Sequence, residues 1–183
     1  MKTPIKTKRL ILRPLHIDDL HMVLAITGTP DTYHYIPEKS MDELDARSMI
    51  ERGQNNPEFD DIPADLAVEL IETGELVGLL SFSTISTRFR AVEIGWMVHK
   101  AYRGKGYASE AAHALINYGF LTLGLHRIIA TCDPRNIPSV RIMEKLGMRR
   151  EAEFVDSVVL GDGEWHNEYF YAITKKEWGK RFD

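Results

Sequence analysis

The sequence predicts a mixed α/β domain whose sheet is mostly antiparallel and contains one parallel crossover. Three observations lead there. The chain has 183 residues, 44% of them apolar and 27% charged, enough to bury a core and within the size of one domain spanning 1–183. Two turn signals, Thr73-Gly74 and Gly161-Asp-Gly163, separate β-rich runs and read as hairpins. Between those hairpins come an apolar strand, Ala91–His99, then a helical pattern, then a second strand, Arg127–Cys132.

Leu10–Leu15 reads as the first strand. A helix follows from His16-Ile-Asp-Asp, with Asp18 as its N-cap and Ala25-Ile26 near its end. Ser40-Met-Asp-Glu43 has the spacing of a capping box, which starts a second helix running from about Met41 to Gly53. Gln54 to Pro63 is polar, with two prolines and the acidic residues Glu58, Asp60 and Asp61. It reads as a loop, either a solvated connection or an acidic lip beside a cationic substrate. Leu66–Glu72 and Glu75–Ser86 form the first hairpin. Ala108, Ala111, Ala112, Leu115, Ile116 and Gly119 recur at helical spacing and place a helix from about Gly106 to Leu123, stopped by Gly124. A short helix spans Pro138 to Leu146, with Asn136 near its cap and Gly147 as its stop. Phe154–Leu160 and Trp165–Thr174 make the last hairpin. The order is β-α-α-β-β-β-α-β-α-β-β, with no internal repeat or linker.

Composition excludes several classes. There are 23 Lys+Arg against 27 Asp+Glu, a net charge of −4, so the basic excess of a nucleic-acid binder is missing. No run of about 18 apolar residues is present to span a membrane. The basic start, Met1 to Arg9, lacks the apolar stretch of a signal peptide, and the single cysteine, Cys132, cannot make an internal disulfide. The expected location is the cytoplasm. The seven histidines show no metal-ligand spacing, so no metal is expected, and His99, His126 and His166 read as structural. Cys132 reads as a buried, inert thiol.

The informative segment is Arg103-Gly-Lys-Gly-Tyr-Ala-Ser-Glu110, which follows a strand and opens a helix. Free N–H groups and the helix dipole make such a start an anion site. Gly104 and Gly106 let a phosphate approach the backbone, and Arg103 and Lys105 add positive charge. A dinucleotide fingerprint needs Gly or Ala where Ser109 stands, and a P-loop needs a different spacing. Both matches fail.

Arg103-Gly-Lys-Gly106-Tyr-Ala108 fits at every position the pyrophosphate loop of the GNAT acyl-CoA-dependent N-acetyltransferases. Further segments resemble the RimJ/RimL-like branch of that superfamily, the ribosomal-protein-alanine N-acetyltransferase type. They are Thr7–Pro14, Glu93-Ile-Gly-Trp96, Asn136-x-x-Ser139 with Glu144-Lys-Leu-Gly147, Gly163-Glu-Trp-His166 and Tyr171-Ala-Ile-Thr174. They cover nearly the whole chain in the right order. The resemblance implies a sheet whose central parallel pair splays to hold acetyl-CoA, with helices on both faces. Acetyl transfer to a primary amine would be direct. Backbone groups at Met97 and Val98 would meet the pantetheine and thioester carbonyl, where an N–H can stabilise an oxyanion. The diphosphate would lie on the amides of Gly104, Gly106, Tyr107 and Ala108.

Asn136 would contact the pantetheine arm or thioester, or serve only as a helix cap. Ser139 would protonate the leaving thiolate, or be an unremarkable first-turn residue. Glu93 would be the general base, or an ion-paired strand carboxylate. Many superfamily members carry a Tyr as general acid seven residues after the Asn; here that residue is Met143, which cannot transfer a proton. The acceptor implied is a protein N-terminal amine or a small amine such as a polyamine, amino sugar, antibiotic or toxin. A non-catalytic acyl-CoA-binding module is the remaining alternative. The last hairpin offers a surface for a homodimer.

Overall fold

The structure is a computed structural model that describes residues 4–53 and 64–180. Eight strands form one sheet in the order β1-β2-β3-β4-β5-β6-β8-β7. They are β1 (Ile5–Lys6), β2 (Leu10–Pro14), β3 (Asp65–Leu70), β4 (Leu76–Ser86), β5 (Ala91–Val98), β6 (Arg127–Cys132), β7 (Arg149–Val159) and β8 (Trp165–Thr174). Every neighbouring pair is antiparallel except β5 and β6, which run parallel through the crossover helix α3 (Tyr107–Leu121). The other helices are α1 (Leu20–Thr27), α2 (Glu43–Gly53), α4 (Ile137–Lys145) and α5 (Lys175–Gly179).

Alternation along the strands builds two cores, one on each face of the sheet. Leu66, Phe82, Val92, Ile94, Ile128 and Tyr171 point to one face and pack with α3, Met143 of α4 and Trp178 of α5. Leu15, Ala67 and Leu79 point to the other and pack with Val23 and Ile26 of α1 and with Ala46, Met49 and Ile50 of α2. Helices therefore cover both faces, as the resemblance implied.

Several expectations need correction. Asp18 does not cap the first helix: the chain enters through a 3-10 turn, Ile17–Asp19, where His16 Nδ1 accepts the Asp18 N–H at 3.4 Å and the Asp19 carboxylate accepts the His16 N–H at 2.7 Å. Asp19 is drawn there by Arg13, which holds both its oxygens at 2.7 and 2.8 Å. Ser40 and Glu43 do not form the capping box either. Two aspartates do, Asp42 accepting from the Asp45 N–H at 2.9 Å and Asp45 from the Asp42 N–H at 3.2 Å. β7 begins at Arg149, ahead of Phe154, because its polar start is held by edge pairing to β8 rather than by burial. The acidic loop at 54–63 lies outside the described residues.

Candidate active site

β5 and β6 pair at only three positions, Ala91↔Arg127, Val92↔Ile128 and Glu93↔Ile129. Past Glu93, β5 stays paired to β4 as far as Gly78↔Val98, and β6 stays paired to β8 as far as Cys132↔Tyr169. The two central strands therefore part, and a gap opens in the middle of the sheet.

The polarity of β5 at that gap follows from one bond. His99 N–H donates to Val77 O at 2.9 Å, so His99 and every second residue before it turn their peptide groups to β4. Arg90 O, on the other parity, accepts from His126 N–H beside β6. The N–H and C=O of Trp96 and Val98 thus face the gap, while those of Met97 pair with β4. Of the two backbone sites expected at 97 and 98, the peptide groups of Val98 face the gap together with those of Trp96, and those of Met97 face β4. The Met97 side chain packs toward α1 and α2.

The loop after β5 ends at the same gap. Gly104 and Gly106 have φ of 77° and 80°, conformations that favour glycine. Gly106 is the N-cap of α3 and has no side chain to satisfy the first turn, so the N–H groups of Tyr107, Ala108 and Ser109 point outward. A Cβ at Gly104 would stand in open space. Backbone donors, helix dipole and room for an anion converge here. Arg103 is turned back from the loop: its Nε donates to Val98 O at 3.1 Å and its Nη1 pairs with Asp31 at 2.6 Å. Lys105 stays near the loop, its Nζ 5.0 Å from the Tyr102 ring.

Sequence reasoning missed what braces this loop. Arg9 lies over the Tyr107 ring at 4.6 Å, donates to Lys105 O at 3.0 Å and pairs with Glu110 at 2.7 Å. Thr7 Oγ donates to the same carboxylate at 2.6 Å. Burial would raise the Glu110 carboxyl, but the Thr7 hydroxyl and Arg9 outweigh it and hold the group below its ordinary value. Arg9, Lys6, Lys105 and Lys145 also rim a cavity of about 630 Å³ that runs from Gly106 along α3. Thr7 and Arg9 were visible as a motif, but a contact a hundred residues away leaves no local signal.

Asn136 and Ser139 close the gap from the side of α3 and α4. Asp133, buried after β6, holds Arg135 and fixes the turn. Asn136 is the N-cap of α4, its Oδ1 accepting the Ser139 N–H at 3.3 Å. Trp96 Nε1 donates to Ser139 Oγ across the gap at 3.4 Å, a contact that leaves the hydroxyl proton of Ser139 free to be donated. Met143 is buried in the main core and contributes nothing polar.

Glu93 lies on the opposite face. Thr131 Oγ donates to its Oε1 at 3.0 Å. Thr131 also interacts with Glu168 of β8, whose carboxyl is raised by burial and by the nearby charge of Glu93, the Thr131 contact opposing. Asp65 of β3 shares this face and is pushed up to about 6 by burial, against the pull of Arg52. Gly95, between Glu93 and Met97, leaves the place that Ser81 Oγ occupies; any side chain there would collide with it. Neither Glu168 nor Asp65 was singled out from sequence, since their convergence depends on strand register. Cys132 is a neutral thiol, pushed up to about 12 by burial and by Asp133 and Glu168. Among the described residues no group of three or more His, Cys, Asp or Glu could hold a metal ion, and no helix is long and apolar enough to cross a membrane.

The gap thus has a carboxylate on one face, a hydroxyl on the other, backbone groups turned away from β4 along one wall, with Val98 O accepting from Arg103, and a loop suited to an anion at its end. That arrangement can seat an extended acyl carrier with a phosphate, take a proton on one side and return one on the other. The sequence pattern described as an acetyltransferase (GNAT) domain matches residues 9–149. The uncharacterized N-acetyltransferase YnaD of Bacillus subtilis (strain 168) is 42% identical over 176 residues, covering 95% of this chain and 98% of that protein. The crystal structure of an acetyltransferase (GNAT family) from Bacillus anthracis superimposes with a TM-score of 0.85 at 41% identity, covering 95% of this chain and 99% of that one. A [ribosomal protein uS5]-alanine N-acetyltransferase of Escherichia coli (strain K12) is 31% identical over 105 residues, 57% of this chain and 54% of that protein.

Proposed function

Since the chain belongs to the GNAT acetyltransferase family, we propose that it transfers an acetyl group directly from acetyl-CoA to a primary amine in the cytoplasm, as one catalytic domain. The observation that carries this reading is the parting of β5 and β6 after Glu93↔Ile129, with Glu93 and Ser139 on opposite sides of the opening. Acetyl-CoA supplies an activated thioester and a diphosphate. The amides of Gly104, Gly106, Tyr107 and Ala108, with Lys105, hold the diphosphate, and Arg9 keeps the loop rigid. Arg103 enters the site once it is released from Asp31. Val98 and Trp96 bind the pantetheine arm and the thioester carbonyl through their backbone. Asn136 offers its amide NH₂ to the same arm while its Oδ1 caps α4.

Glu93 removes a proton from the incoming ammonium, directly or through water. The freed nitrogen attacks the carbonyl carbon, the new C–N bond forms, the C–S bond breaks, and the nitrogen releases its second proton to solvent. Ser139 gives its proton to the departing sulfur and regains one from solvent. With Met143 in place of a tyrosine, positioning in the narrow gap supplies much of the rate.

The acceptor reading is a protein N-terminal amine, supported by the likeness to the uS5-alanine enzyme. One observation favours a small polycationic amine instead: Asp65, Glu93 and Glu168 share the acceptor face. The test is release of CoA thiol with peptides bearing N-terminal Ala or Ser and, separately, with polyamines and amino sugars. Turnover on peptides alone supports the first acceptor, and turnover on free amines alone the second. Tight acetyl-CoA binding with no turnover on either set refutes the acetyltransferase reading in favour of a binding module.

A further inference from the structure

A second cavity, of about 450 Å³, lies between α4 and the β7–β8 hairpin, a volume suited to a small molecule. Ile137, Val140 and Glu144 supply one wall; at spacings of three and four they form one stripe of α4. Lys145, on another stripe, borders the cavity along α3 instead, so the two cavities lie on different sides of α4. The hairpin supplies the other wall. Arg150 pairs with Tyr171 across β7 and β8, so both side chains stand on the α4 face. Tyr169 joins them, its ring 6.3 Å from that of Tyr171, and Met148 adds apolar surface.

The polar groups of this cavity lack partners among the described residues. Tyr171 is only 4% exposed, yet its hydroxyl makes no hydrogen bond and is not sealed off. The cavity is where that side chain reaches the surface, so the hydroxyl is aimed into it. Burial pushes its ionisation upward, and it stands as a neutral O–H that can donate and accept. The Arg150 guanidinium lies over the Tyr169 ring at 4.3 Å and pairs with no carboxylate, and Glu144 pairs with no cation. Nearby charges are already paired: Arg149 with Glu151 and Glu177, and Arg135 with Asp133. A cation and a carboxylate that rim one cavity without meeting suit a molecule that carries both charges.

We propose that this cavity binds a free α-amino acid with an apolar side chain. Arg150 takes the carboxylate, Glu144 takes the ammonium, and the Tyr171 hydroxyl donates a further hydrogen bond to the carboxylate. The side chain lies against Ile137, Val140, Met148 and the Tyr169 ring. The site is separate from the gap and does not depend on acetyl transfer. α4 joins the two, since its start carries Asn136 and Ser139.

The test uses the whole chain without acetyl-CoA and takes L-phenylalanine as the probe. Calorimetry should show saturable binding at one site. N-acetyl-L-phenylalanine lacks the ammonium and L-phenylalaninamide lacks the carboxylate; each should bind at least about tenfold more weakly. Glycine, without a side chain, should do the same. Arg150 and Glu144 are exposed, so Arg150→Gln and Glu144→Gln leave the core intact, and each should weaken binding at least about tenfold. Tyr171→Phe keeps the ring in place and should weaken it about threefold or more. NMR locates the site: the methyl signals of Ile137, Val140 and Met148 should shift, and that of Ile129, beside Glu93, should not. Absence of binding, or equal binding of the acid, the amide and the N-acetyl form, overturns the proposal. Binding that moves Ile129 alone and survives Arg150→Gln overturns it too; the amino acid would then sit in the gap as an acceptor, and the acetyltransferase reading would stand.

Discussion

Asp65 stands at the head of β3, where burial outweighs the opposing charge of Arg52 and pushes its carboxyl up to about 6. The folded value lies above the ordinary 3.8, so ionising Asp65 disfavours the fold, and the penalty grows as pH rises through the window from 3.8 to about 6. Asp65→Asn should therefore raise the melting temperature at pH 7.5 by a few degrees, roughly 1 kcal/mol, and leave it nearly unchanged at pH 4. Thermal melts at the two pH values decide it. At Gly106 a second change is informative. Its φ of 80° and its place at the open end of α3 mean that Gly106→Val should weaken acetyl-CoA binding at least about tenfold by calorimetry; retained affinity would remove the loop from the site. Glu93→Gln should lower turnover at neutral pH, with much of the loss recovered at high pH, where unprotonated amine is abundant. Residues 103–108 were legible because their spacing is itself the geometry. Glu168 was not, because nothing in the sequence near it says that β8 lies beside β6 in the register that brings it to Thr131.

The same division holds for whole elements. The crossover, both hairpins and the order of the main strands follow from periodicity and turn residues close in sequence. Caps were less legible where several polar residues compete: Asp18, Asp19, Ser40, Asp42 and Asp45 all qualify by type, and tertiary partners such as Arg13 decide among them. α5 is only five residues long, too short for a periodic signal, and is held by its surroundings. Thr174 caps it, with Glu177 accepting back from the Thr174 N–H at 2.8 Å. The Thr174 hydroxyl and amide, with Arg149, hold the Glu177 carboxyl down at about 2. Its folded value lies below the ordinary 4.5, so its support for the helix is full above that value and is lost as pH falls toward about 2. Thr174→Ala should cost about 1 kcal/mol at neutral pH. It should also loosen Trp178, which is buried against Phe120 and His113, and the change in its fluorescence reports the loss.

At the scale of the molecule, the sheet is one continuous set of neighbours with a seam of three residue pairs at its centre. On the β5 side of the opening, alternate peptide groups have a cross-strand partner and the ones between do not. Amide exchange should read this out residue by residue. The N–H groups of Trp96 and Val98 should exchange freely without ligand and become protected when acetyl-CoA is added, while those of Gly95 and Met97, paired to β4, should be slow in both states. Equal protection at all four would refute the assignment of the cleft wall.

The parity of the strands has an evolutionary and engineering consequence. Successive side chains on β5 face opposite sides of the sheet: Glu93 stands on the side of Thr131, and Trp96, three residues on, stands on the side of Ser139, so that under the proposed function acceptor and carrier meet different positions. The vocabulary for choosing an acceptor is therefore written at positions that the carrier never reads. Asp65, Ser81 and Glu168 can be rewritten as a set, by drift or by a focused library, to suit a new amine while Glu93, the loop at Gly104–Gly106 and the peptide groups of Trp96 and Val98 stay unchanged. A fold partitioned in this way separates the learning of new substrates from the upkeep of an old chemistry.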